Sequence, residues 1–272
     1  MKITRAMELI ATSRIARAQQ RVGAAQPYTR AMNEVIRNVA AASGGASHPL
    51  LEIRPVRTVG IVVVTSDRGL AGAYNINVMR LAELRAIELG KAGTEVRVYV
   101  IGRKAQSYFR YRGYLIQQTF LGVTDTPGYG DARAVANVVM NDFAEGTVDS
   151  VEVFTTRYVS AMTQSASSWT MLPIAPPMDA AASAPVGYTY EPSPEAILGR
   201  LLPRYVEAAA FGILLEASAS EHAARRRAMK AATENADELT RVLSRQANQA
   251  RQAEITTEIS EIVGGAEALT RG

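Results

Sequence analysis

Apolar positions near the start of the chain recur at Ile3, Met7, Ile10, Ala18, Val22, Ala25, Met32, Ile36 and Val39. Steps of four and three predict an amphipathic helix with one face turned toward a partner helix. The rhythm slips between Ile10 and Ala18, where Arg14 and Arg17 take the strict heptad positions. Pro27 is expected to kink this helix, and Gly44 and Gly45 to end it at the latest.

The period then changes. TVGIVVV (Thr58 to Val64) reads as a strand, followed by a glycine-containing loop and a helix from about Tyr74 to Leu89. TEVRVYVIG (Thr94 to Gly102) reads as a second strand, with helices over Arg103 to Arg112 and near Asp131 to Ala144. VDSVEVFTTRY and AMTQSASSWTMLPI read as a strand pair, and the Pro/Ala-rich stretch from Pro173 to Pro185 as a surface loop. Strands alternating with helices predict an α/β fold with a largely parallel sheet.

The C-terminal third is helical in pattern. Ser193-Pro194-Glu195 reads as an N-cap with proline at the first helical position, and Pro203 permits a kink soon after. From Ile213 to Val263 there is neither glycine nor proline, and as one helix these 51 residues span about 77 Å. Gly264-Gly265 is expected to stop it. Between Leu215 and Leu239 the only bulky apolar side chain is Met229, so this helix lacks the wide apolar stripe that normally holds one folded. The chain therefore divides into an N-terminal coiled-coil helix (1–57), an inserted α/β domain (58–192) and a C-terminal coiled-coil helix (193–272), the two helices pairing as a long coiled coil.

Composition narrows the chemistry. With 47% apolar residues in 272 the chain can build a real core. It has no cysteine and only two histidines, His48 and His222, which removes disulfides, thiolate sites and structural zinc. The longest strongly apolar run, GIVVV, is far short of the ~20 residues of a membrane span, so membrane association is expected only through a partner. The formal charge of +4 is uneven. Met1 to Arg30 carries six bases against one acid, and Glu221 to Arg251 seven against four. Two basic helices call for an acidic partner: nucleic acid, a lipid surface or acidic protein loops.

Candidate sites are sparse. TSDRGLAGAYN (Thr65 to Asn75) lies where a phosphate loop would, but lacks both GxGxxG and GxxxxGK[ST]. It reads as a tight loop with Gly69 and Gly72 at positive φ and with Asp67 and Arg68 as an ion pair. No Ser/His/Asp set, carboxylate dyad or metal cluster is discernible, so no catalytic, cofactor-binding or metal residue is assigned and the chain is expected not to be an enzyme by itself. His222 reads as a helix-surface residue. Arg225-Arg226-Arg227 is either a solvated face or, because ~100° steps spread it around the helix, a contact to a surrounding partner. A basic coiled-coil nucleic-acid-binding or scaffolding protein is one reading, opposed by Glu234, Asp237 and Glu238, which repel phosphates. A nucleotide-binding enzyme is another, opposed by the missing phosphate fingerprints.

KITRAMELIATSR (Lys2 to Arg14), SDRGLAGAYN (Ser66 to Asn75), SEHAARRRAMKAATENA and ARQAEITTEISEIVGGAEAL (Ala250 to Leu269) resemble, in order, the signatures of the gamma subunit of the F-type ATP synthase, bacterial type. The resemblance implies an antiparallel coiled coil of the terminal helices with a Rossmann-like domain at its base. It implies a central-stalk rotor that couples proton flow to ATP synthesis or hydrolysis, in one copy per complex, at the cytoplasmic face of the bacterial membrane. The implied partners are the alpha and beta subunits around the shaft, a small epsilon subunit on the α/β domain and the membrane c-ring below, with no cofactor and no nucleic acid. It implies that Met7, Arg225, Lys230, Arg251, Gln252 and Thr256 meet the catalytic subunits, and that Tyr188, Tyr190 and Glu191 rest on the membrane ring. The family begins roughly 15 residues earlier, about four helical turns, so either the start is misplaced or the shaft is shortened, and only in the second case are upper contacts of the N-terminal helix expected to be missing. Ala71, where the family often has cysteine, is a small side chain in a tight loop and is expected to be benign; with no cysteine in the chain, the thiol switch of the chloroplast version is missing and redox gating is not expected.

Overall fold

The computed structural model describes residues 2–42, 48–174, 191 and 193–271. The elements run α1 (Lys2–Ala42), a 3-10 turn (Pro49–Leu51), β1 (Thr58–Val64), α2 (Tyr74–Lys91), β2 (Glu95–Ile101), α3 (Arg103–Tyr111), β3 (Ile116–Phe120), α4 (Tyr129–Ala144), β4 (Ser150–Tyr158), β5 (Gln164–Leu172) and α5 (Pro194–Arg271).

Strand order is β3-β2-β1-β4-β5. The first four strands are parallel and β5 returns antiparallel to β4. β1 lies between two parallel neighbours and is covered on both faces, which is why TVGIVVV is a continuous apolar run. Ile61, Val63, Val98, Val100 and Phe154 face α2 and α3; Val62, Val64, Tyr99, Val151 and Val153 face α1, α4 and α5. A Cβ on Gly60 would sit 3.0 Å from the Tyr99 ring, so this glycine makes room for the ring, whose hydroxyl donates to Asp142.

Strand β3 is absent from the sequence reading. IQQTF alternates poorly and its two glutamines are exposed at the sheet edge, so neither period nor hydrophobicity announces it. The helix termini also differ. α1 runs unbroken across Pro27 and α5 across Pro203, and α5 passes through Gly264 and Gly265 to Arg271. Two glycines cost a helix only about 1 kcal/mol each, and this solvated end carries no other stop signal. Gly44, Gly45, Tyr188, Tyr190 and most of the Pro/Ala-rich loop lie outside the described residues.

Candidate functional site

The two long helices are antiparallel. Thr4 meets Thr233 through their hydroxyls, Ala25 lies beside Gly212, and Thr29 beside Ala208. Buried along α1 are Ala11, Ile15, Ala18, Met32, Ile36 and Val39, with Val22, Ala25 and Thr29 half-buried between them. These positions form one unbroken 4,3 series, so the expected slip near Arg14 is a phase error. Ile3 is 76% exposed and Ile10 54%, while small Ala11 and β-branched Ile15 fill the seam. The outermost apolar residues of α1 thus form a second stripe turned away from α5.

α5 has two regimes. From Leu198 to Met229 it is largely buried against α1, α4 and the sheet. Beyond Thr233 nearly every described side chain is exposed, including Leu239, Leu243, Ile255, Ile259 and Ile262, along a helix of about 57 Å at 1.5 Å per residue. The segment expected to lack a core is therefore split. Ser220 to Arg225 is the most enclosed stretch of the helix, and the bare shaft begins one turn after Met229.

That enclosed stretch is a polar joint between shaft and α/β body. Tyr74 Oη donates to the Ala217 carbonyl, Ser218 Oγ to that of Asp125, and Ser220 Oγ to that of Thr156. Arg14 of α1 pairs with Asp125, and Arg21 donates to the Pro127 carbonyl. Burial works against the Asp125 charge, but the Arg14 guanidinium outweighs it and holds the carboxyl below its usual range. His222 is a correction: at 2% exposure it is an interior residue. Its Nε2 lies 3.4 Å from the Asp125 carbonyl and its Nδ1 3.4 Å from Arg225 Nη1, the pairing of a neutral imidazole. Burial holds its pKa below the ordinary value.

Arg225, which the resemblance assigns to the catalytic-subunit contacts, is enclosed by its own chain. It donates to Glu221 Oε1 and to the Gly69 carbonyl, leaving little of the guanidinium for an outside partner. Arg227 binds the Met162 carbonyl and Gln164 Oε1 at the β4–β5 turn, while Arg226 stays half-exposed. Lys230, 3.8 Å from Glu234, is exposed, as are Arg251, Gln252 and Thr256; Met7 is half-buried and Glu191 exposed.

The loop TSDRGLAGAYN is closed by its own side chains. Asn75 Oδ1 accepts from Ser66 N, and the Asp67 carboxylate accepts from Arg103 N, Gly122 N and Thr124 Oγ1. Asp67 therefore ties three loops together rather than pairing with Arg68. The amide at the start of α3 that could have met a phosphate is already used. Left-handed backbone occurs at Leu70 and Gly72, not Gly69. Replacing Asp67 by alanine would strand those donors, and a loss of about 2 kcal/mol in chemical denaturation is expected.

A family model described as ATP synthase matches residues 1–269. The ATP synthase gamma chain of Parafrankia sp. (strain EAN1pec) is 48% identical over 283 residues, covering 100% of this chain and 93% of its own. That of Acidothermus cellulolyticus is 48% identical over 279 residues, with 98% and 92% covered. Among solved structures, a chain of the Tetrahymena thermophila mitochondrial ATP synthase central stalk and c-ring superposes with a TM-score of 0.67 at 21% identity, covering 85% of this chain and 99% of that one. A Euglena gracilis mitochondrial ATP synthase chain gives 0.58 at 17% identity, with 96% and 94% covered. At these identities the two structures support the fold alone: a long helical pair with an α/β body.

Proposed function

The chain belongs to the ATP synthase gamma-chain family, and we propose that it is the central-stalk rotor of an F-type complex, turning inside a ring of alpha and beta subunits and coupling proton flow to ATP synthesis or hydrolysis. The observation that carries this reading is the 78-residue α5, a single helix held to the α/β body by the Ser220–Arg225 joint and bare beyond Thr233. A bare, slim helix fits a narrow central hole. Its continuous backbone resists twisting, and the joint passes torque to the body. The chemistry takes place on the partners; this chain supplies an asymmetric surface that favours a different conformation in each catalytic subunit. It sits peripherally on the cytoplasmic face of the membrane, with epsilon on the α/β body and the c-ring beneath Tyr188, Tyr190 and Glu191.

Driving a catalytic site from 1:99 to 99:1 takes about 5.5 kcal/mol of differential contact. One surface ion pair supplies at most about 1 kcal/mol, so several contacts must act together. Arg251, Gln252 and Thr256 are assigned to the catalytic-subunit loops, joined by Lys230, half-buried Met7 and the exposed Ile3 and Ile10. The nucleic-acid reading is the weaker one, because Arg225 is enclosed and Arg227 is bound to the β4–β5 turn. The test is the triple variant Arg251→Ala, Gln252→Ala, Thr256→Ala, assembled with the ring subunits. All three positions are exposed, so the fold should persist, while ATP hydrolysis by the complex should fall by about tenfold, equivalent to ~1.4 kcal/mol. Unchanged hydrolysis would remove these residues from the coupling surface.

A further inference from the structure

Glu221 stands apart from the contacts that hold the joint. Its side chain is 2% exposed, Oε1 accepts from Arg225, and Oε2 has no hydrogen-bond partner. The groups around it come from every neighbouring element. α5 itself supplies His222 and Arg225, the β1–α2 loop Asp67 and the Gly69 carbonyl, α2 the Tyr74 hydroxyl, and the β3–α4 loop Asp125, which Arg14 of α1 neutralises in part. One guanidinium therefore serves Glu221 and the Gly69 carbonyl, with Nη1 turned to His222, while two further carboxylates raise the local negative charge. The unpartnered oxygen is the natural seat for a proton, and a proton there leaves Oε1 free to keep Arg225 in place.

We propose that Glu221 is a proton-responsive positioning residue that makes the joint between shaft and α/β body tight while it is protonated and looser once it ionises. Burial, only partly offset by Arg225, pushes its pKa up to about 7, inside the physiological range. The sign follows from linkage. A carboxyl whose pKa is higher in the closed joint than in water binds its proton more tightly when closed, so the stabilisation is complete at acid pH and is lost as pH rises through about 7. Between the solvent-exposed value and about 7, the equilibrium constant for opening grows by up to about tenfold per pH unit. Glu216, five residues earlier on α5, is also pushed up by burial and adds a component of the same sign, but the groups that face Glu221 do not imitate it. His222, held neutral by burial, destabilises the joint as pH falls, the opposite sense. Asp125 is held down and Tyr74 far up, so both titrate outside the window.

The test is carried out on the full chain, apart from any partner. Carbon NMR of the side-chain carboxyls, with Glu221→Gln to assign the resonance, should show Glu221 titrating near pH 7. Thermal unfolding from about pH 5 to about pH 8 should lose stability with rising pH in the wild type; Glu221→Gln should make that loss clearly smaller, leaving the share of Glu216, while His222→Gln does not reduce it. If Glu221→Gln does not fold, the resonance is assigned by selective labelling and the wild-type titration decides alone. A Glu221 carboxyl titrating in the ordinary carboxylate range overturns the proposal, as does a Glu221→Gln chain with the wild-type pH dependence. Neither result bears on the rotor reading, which is tested by assembly with the ring.

Discussion

Arg225→Ala is expected to destabilise the isolated chain by about 3 kcal/mol, because it removes together the cation paired with buried Glu221 and a bond to the Gly69 carbonyl. The loss should be smaller in Arg225→Ala with Glu221→Gln, since the uncompensated acid is then gone. A double-mutant cycle by denaturant unfolding reads this directly. Exposed Arg251→Ala should cost the fold almost nothing. The contrast matters for function. Both are arginines of the basic C-terminal helix, yet one fastens the shaft to its body and the other is free to meet a partner. An Arg225→Ala complex is expected to assemble but to slip at the joint, hydrolysing ATP with poor transmission to the α/β body.

A larger effect is expected at Gly102. It joins β2 to α3 at a φ of +92°, where an added Cβ would lie 2.3 Å from the Thr65 carbonyl oxygen. That oxygen belongs to backbone, so no side-chain rotation relieves the clash. The same residue donates to the Phe120 carbonyl, and Thr65 N donates to that of Ile101, so β1, β2 and β3 meet at this point. Gly102→Ala should therefore cost at least about 4 kcal/mol, enough to leave a marginal chain unfolded. Circular dichroism and expression in soluble form would register it. Gly93→Ala is the control: its φ is +78°, but nothing lies within 4 Å of its Cβ, so only backbone strain of about 1 kcal/mol is expected.

These two sites also mark what the sequence reveals and what it conceals. Strands β1, β2, β4 and β5 and all five helices announce themselves through β-branched runs, 3.6-residue periodicity and capping residues. The phase of the α1 seam does not. Ile3 and Ile10 are larger and more apolar than Thr4 and Ala11, yet the small residues face α5, because close helix approach rewards small side chains and leaves large ones outside. His222 and Arg225 read as surface residues for a related reason. Their enclosure comes from the β1–α2 and β3–α4 loops, more than ninety positions away in sequence, which no local pattern can register. Within Thr65 to Asn75, Gly72 takes the positive φ expected of it while Leu70 takes the one expected of Gly69. The job of Asp67 depends on Gly122 and Thr124, distant partners again.

On the rotor reading, the long shaft, the joint and the bare upper helix together form the part that transmits rotation. The most direct measurement is single-complex rotation: the chain assembled with F-type ring subunits, a bead attached to the α/β body at exposed Tyr111 changed to cysteine, and ATP supplied. Unidirectional, ATP-dependent turning of the bead, lost when residues 234–271 are removed, is the result this account predicts. Stoichiometric complexes that hydrolyse ATP while the bead stays still, or rotation that survives the truncation unchanged, would contradict it.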